Sequence, residues 1–139
     1  MISEFVASRP SSGPYFERNV AELASHGIPS LDNLYEVPTL PAAQADEVLR
    51  SQLELACQAQ NISNINFGRY CIQNIPREWI LANIERLVAP LLATNKEWEY
   101  RRLLELYSTL DADLTISLAI RATEHEDLGV QEAGYDFGG

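Results

Sequence analysis

The chemically equipped side chains of this chain gather in a few short stretches. Glu124-His125-Glu126-Asp127 places one imidazole among three carboxylates, a set that could in principle hold a metal ion. A metal needs convergent ligands, and consecutive residues at a helix junction point in different directions. The reading is therefore a solvated turn whose acids favour the N-terminus of the helix that follows. His26 stands just before Gly27, where a cation would favour the negative end of a helix. Cys57 and Cys71 fall inside helical patterns, with no CxxC pair and no Cys/His cluster, and read as reduced packing residues.

The densest mixture of aromatic and charged residues is Lys96-Glu97-Trp98-Glu99-Tyr100-Arg101-Arg102. At about 100° per residue, Tyr100, Leu103, Leu104 and Tyr107 share one face, and Trp98 points nearly opposite to it. A tryptophan off the core face either wedges against a neighbouring element or is offered to a partner, as Trp and Arg are favoured binding anchors. Two helical ion pairs are expected beside it, Glu97–Arg101 and Glu99–Arg102.

Charge is spread unevenly. The 139 residues carry a formal charge of −10. Residues 103–139 hold eight acids against Arg121 alone, a net −7. Such a surface is either simply a solvated face or a site for a basic protein, and it is a poor match for duplex nucleic acid, whose binding relies on Lys and Arg. Partner-binding candidates are accordingly Trp98, Arg101, Arg102, Glu124, Glu126 and Asp127. No nucleophile elbow, phosphate-gripping loop or zinc motif occurs, and neither catalytic residues nor a cofactor is expected.

These residues need elements to position them, and the hydrophobic periodicity is helical throughout. Pro14 suits the first position of a helix carrying Phe16, Val20, Leu23 and Ala24, which Gly27 closes. Residues 27–41 contain three prolines and no expected helix, yet Leu31, Leu34, Tyr35, Val37 and Leu40 make them a packed connector. Residues 1–41 thus form an arm of the same domain, and residues 42–139 a helical-hairpin domain.

Six further helices are expected. One runs over Ala42–Gln60 with Ala45, Val48, Leu49, Leu53 and Ala56 inward, and Asp46–Arg50 and Arg50–Glu54 paired outside. The next, Asn64–Asn74, is capped by Ser63. Pro76–Leu92 carries the stripe Ile80, Ile84, Leu87, Val88 and Leu91. Lys96–Tyr107 follows, and then Ala112–Thr123, capped by Asp111. A short helix around Leu128–Tyr135 ends the pattern. Short connections make sequential helices antiparallel. The fold class is all-α, built of antiparallel hairpins as a short solenoid or an irregular bundle. The acidic N-terminus and the lack of a membrane-length apolar run argue against a signal peptide or membrane partner and favour the cytoplasm.

Asp127-Leu128-Gly129-Val130-Gln131-Glu132-Ala133-Gly134 resembles the start of the inner helix of a HEAT-type repeat, in which an Asp cap precedes a Val, a basic residue and small residues. Gln131 stands where Arg is usual, and Gly134 where Ala is common. The resemblance covers about Pro76 to Phe137. It implies a HEAT-like packing and a surface that binds proteins, with no shared catalytic residues. The expected function is a non-catalytic, scaffold- or adaptor-type protein-binding domain. The alternatives are an immunity-type inhibitor of a basic toxin and, less favoured, an enzyme built on scattered carboxylates.

Overall fold

A computed structural model describes residues 3–93 and 96–138. Among them are seven α-helices and no strand: α1 (Pro14–Ser25), α2 (Ala42–Ala56), α3 (Ile62–Asn74), α4 (Arg77–Leu92), α5 (Glu97–Leu110), α6 (Ala112–Thr123) and α7 (Leu128–Gly138). Two 3-10 helices, Ser3–Phe5 and Leu31–Thr39, complete the described set. The fold is all-α. The tightest pairs are α2 with α3 and α6 with α7, and α5 touches α2, α3, α4, α6 and α7. In a solenoid each repeat meets only its neighbours. A helix in contact with five others makes this arrangement the irregular-bundle form of the expectation.

Local signals place most of the boundaries. Gly27, at φ 100°, closes α1: its N–H donates to the Ala24 carbonyl while the Ile28 N–H donates to Leu23. Leu23 and Ile28, the two apolar residues that flank this cap, are both fully buried. Asp111 ends α5 and caps α6, its carboxylate accepting from the Leu114 N–H at 3.0 Å.

Four expectations need correction. The connector contains a 3-10 helix over Leu31–Thr39, with Pro38 inside it. Leu31, Leu34 and Val37 are the buried residues, and their spacing of three is the 3-10 repeat. Helix α2 stops at Ala56, well short of Gln60. The cap of α3 is Asn61, whose side chain accepts from the Asn64 N–H at 3.1 Å, while Ser63 lies exposed in the first turn. Neither ion pair expected along α2 forms. Arg50 turns to Glu47, and Asp46 takes a bidentate pair from Arg86 of α4 at 2.9 and 3.0 Å.

One apolar cluster runs from Leu23 to Ala133 and includes residues of the connector and of every α-helix. Where α2 meets α3, a Cβ on Gly68 would lie 2.5 Å from the Gln52 carbonyl oxygen and 2.6 Å from the Ala56 nitrogen. Where α6 meets α7, a Cβ on Gly134 would lie 2.5 Å from the Ala119 carbonyl oxygen. The Gly that departs from the HEAT pattern is thus the residue that lets two backbones touch. Helix α1 is fastened to α3 by Phe16 against Phe67, with ring centroids 6.1 Å apart, and by a buried amide pair in which Asn19 donates to Asn64 at 3.0 Å.

Candidate functional site

The start of α5 and the α6–α7 turn meet at one end of the molecule. His125 lies edge-on to Tyr100, centroids 5.4 Å apart, and the Glu97 carboxylate fills the space beside Gly129. Glu97 and Tyr100 at the start of α5 are thereby brought against the turn Glu124-His125-Glu126-Asp127, while the intervening Trp98 meets Arg102.

Trp98 is 52% exposed, and the Arg102 guanidinium sits 5.7 Å from its ring centroid. The expected Glu99–Arg102 pair is absent. Arg102 instead donates to Glu105 at 3.1 Å and to the Ala59 carbonyl at 3.1 Å, and Arg69 binds the same Glu105 carboxylate. Arg101 forms the expected pair with Glu97 at 3.3 Å and adds Asp136 of α7 at 2.8 Å. The hydrogen bond that Arg101 donates to Asp136 leads the causes that hold its guanidinium above its ordinary pKa. Both arginine side chains are only 18% exposed. Arg101 and Arg102 therefore brace the surface more than they present it.

The acidic turn divides in the same way. Asp127 caps α7, its Oδ1 accepting from the Gly129 and Val130 N–H groups at 2.8 and 3.1 Å. The His125 Nδ1 accepts from the Asp127 N–H at 2.9 Å, and its carbonyl accepts from the Gln131 side chain at 2.6 Å. Gln131 thus ties the turn down. No group of three or more His, Cys, Asp or Glu side chains among the described residues is arranged to hold a metal ion. Glu124 and Glu126 are left exposed, beside Leu128, which is 77% exposed. Leu128 is an anchor candidate that helical periodicity passes over. Its one signal is its place at the first helical position after the Asp127 cap.

Cys57 and Cys71 are buried and unpaired. Burial raises the Cys57 thiol to about 12 and pushes Cys71 up as well, so neither is a ready nucleophile. No helix among the described residues is long and apolar enough to cross a membrane. Comparison of the chain with protein-family models, curated proteins and solved structures finds no match.

Proposed function

We propose that this chain is a non-catalytic protein-binding domain whose contact surface is the end formed by the start of α5 and the α6–α7 turn. The observation that carries the reading is Trp98, half exposed and held by Arg102 on an α5 whose Glu97 and Tyr100 pack against a turn that exposes Leu128, Glu124 and Glu126. Aromatic and aliphatic anchors supply affinity when a partner desolvates them, and the surrounding acids supply orientation and association rate. The HEAT-like segment capped by Asp127 fits the same role. The −7 charge of residues 103–139 favours a basic partner, which suits an adaptor and equally an inhibitor of a basic toxin.

The test begins with a photo-crosslinking amino acid in place of Trp98 in the native cell, with the same group in place of Tyr15 on α1 as control. A defined protein should be captured at Trp98 and not at Tyr15. With that protein purified, Glu124→Lys combined with Glu126→Lys should slow association at low salt more than at high salt. Equal capture at both positions, or an unchanged association rate, refutes the reading. A captured protein that is itself a toxin, silenced by this chain, selects the inhibitor.

A further inference from the structure

The first described residues lie in a groove between α3 and α5, held mainly through their backbone. The Gln73 side-chain amide donates to the Phe5 carbonyl at 3.1 Å and accepts from the Ala7 N–H at 2.9 Å. Two turns earlier on α3, Asn66 accepts from the Ser8 N–H at 3.3 Å and donates to the Ser8 carbonyl at 2.8 Å. A bond from Gln73 to the Thr109 hydroxyl of α5, 3.0 Å, fixes the amide in place. Two side-chain amides that each grip a main-chain donor and a main-chain acceptor of the arm, a 3-10 turn at Ser3–Phe5 followed by irregular chain, read backbone that any sequence offers.

Side-chain contacts add a preference. The Phe5 ring lies 5.6 Å from the Arg69 guanidinium and 6.1 Å from the Phe137 ring. Arg69 and Arg102 share the single Glu105 carboxylate, and the Nε atom of each is buried without an acceptor. The groove floor therefore carries excess positive charge. Glu4 lines the same small cavity with both arginines, yet its side chain stays exposed.

The tether beyond the arm borders a small cavity against Ser63, Asn66 and Phe67 of α3, and Arg9 meets Tyr70 as well as Asp32. Gly13, at φ 108°, has no neighbour within 4 Å of a Cβ position, and Pro10 and Pro14 flank it. The Arg9–Asp32 pair that pins the tether is 52% and 75% exposed, and pairs so exposed contribute little.

We propose that this groove is a receptor for a short peptide segment of a partner protein, one with an acidic residue just before an aromatic residue in a tight turn that leads into irregular chain. The chain's own Glu4-Phe5-Val6-Ala7-Ser8 arm occupies it as a displaceable stand-in. The groove adjoins Trp98, because Arg102 both lines its cavity and lies over the Trp98 ring. The two proposals are told apart by their probes, a crosslinker at Trp98 and a free peptide at the groove.

The probe is a capped, fluorescein-labelled peptide of the sequence Ser-Glu-Phe-Val-Ala-Ser, titrated into the full chain and followed by polarisation. In the unaltered chain the arm competes, so binding is weak. Phe5→Ala loosens the arm and leaves the groove intact, and it should tighten probe binding by about tenfold or more, because the occupied state no longer taxes the affinity. Adding Gln73→Ala to that variant should abolish the gain, and a probe with Gln in place of Glu should bind several-fold more weakly. In the unaltered chain, the Ala7 and Ser8 amides should exchange with deuterium orders of magnitude faster than that of Ile72, buried on the same helix α3. Equal probe affinity with and without Phe5→Ala, or arm amides as protected as Ile72, overturns the proposal. A concentration-dependent dimer that disappears in Phe5→Ala would place a second copy's arm in the groove and overturn the assignment to a partner.

Discussion

At the scale of single residues, the closest constraints are steric. Gly68 and Gly134 each face the backbone of a neighbouring helix, and backbone cannot yield as a flexible side chain can. Gly68→Ala and Gly134→Ala should each destabilise the chain by about 1–3 kcal/mol, the usual cost of overpacking a filled core. Urea unfolding measures this, and a loss under about 0.5 kcal/mol at either position would show that the helices separate cheaply. A second residue-scale consequence is electrostatic. The hydrogen bond from Arg86 holds the Asp46 carboxyl below its ordinary pKa. A depressed carboxylate stabilises the fold above its unfolded pKa of about 3.9, and that contribution fades as pH falls through the lower folded value. Arg86 is more than half exposed, so solvent screening keeps the pair's contribution small. Arg86→Ala should therefore cost a little stability at neutral pH and almost none at pH values where Asp46 is protonated. An equal loss at both would assign the effect to lost packing of the arginine stem.

At the scale of elements, two caps turn the chain back on itself. Asp111 is the single residue between α5 and α6, and it also pairs with Arg77 at 3.2 Å. Asp111→Ala should cost about 1–2 kcal/mol, and Asp111→Asn should recover most of it, because the amide oxygen can still accept from Leu114. If Asn recovers nothing, the charge toward Arg77 matters more than the cap. This cap was legible in the sequence, as were Pro14, Gly27 and the stripe from Ile80 to Val88, because each depends on neighbours within one or two turns. The 3-10 helix was harder to see: three prolines argue against helix, and the period of three in Leu31, Leu34 and Val37 was the signal to weigh against them. The partners of Asp46, Arg102 and Gln73 lie roughly forty to seventy residues away or turn on competition among several acids, and local spacing cannot rank those choices. For the same reason Trp98 was recognisable as a residue off the core face, while Leu128 and the amides of Asn66 and Gln73 were not recognisable as a surface.

At the scale of the molecule, the apolar cluster from Leu23 to Ala133 crosses every α-helix, with α5 at its centre. A core shared this widely leaves no helix pair with an interior of its own, so the body should unfold in one cooperative step. The two thiols report on this directly. Cys57 ends α2 and Cys71 lies in α3; they are 5% and 0% exposed, and burial holds both in the unreactive thiol form. Labelling by a thiol reagent then requires an opening of the fold. Two variants, Cys57→Ala and Cys71→Ala, each leave one thiol to follow across a urea series. If the body opens as a unit, the free energy of opening from either thiol should match that from far-UV circular dichroism, after allowance for the cost of each alanine, and should fall with urea at the same slope. A thiol at Cys57 that reacts with a shallower slope would mean that the end of α2 frays while the rest stays folded. That result would shrink the cooperative unit and separate the α2–α3 pair from the end that carries Trp98.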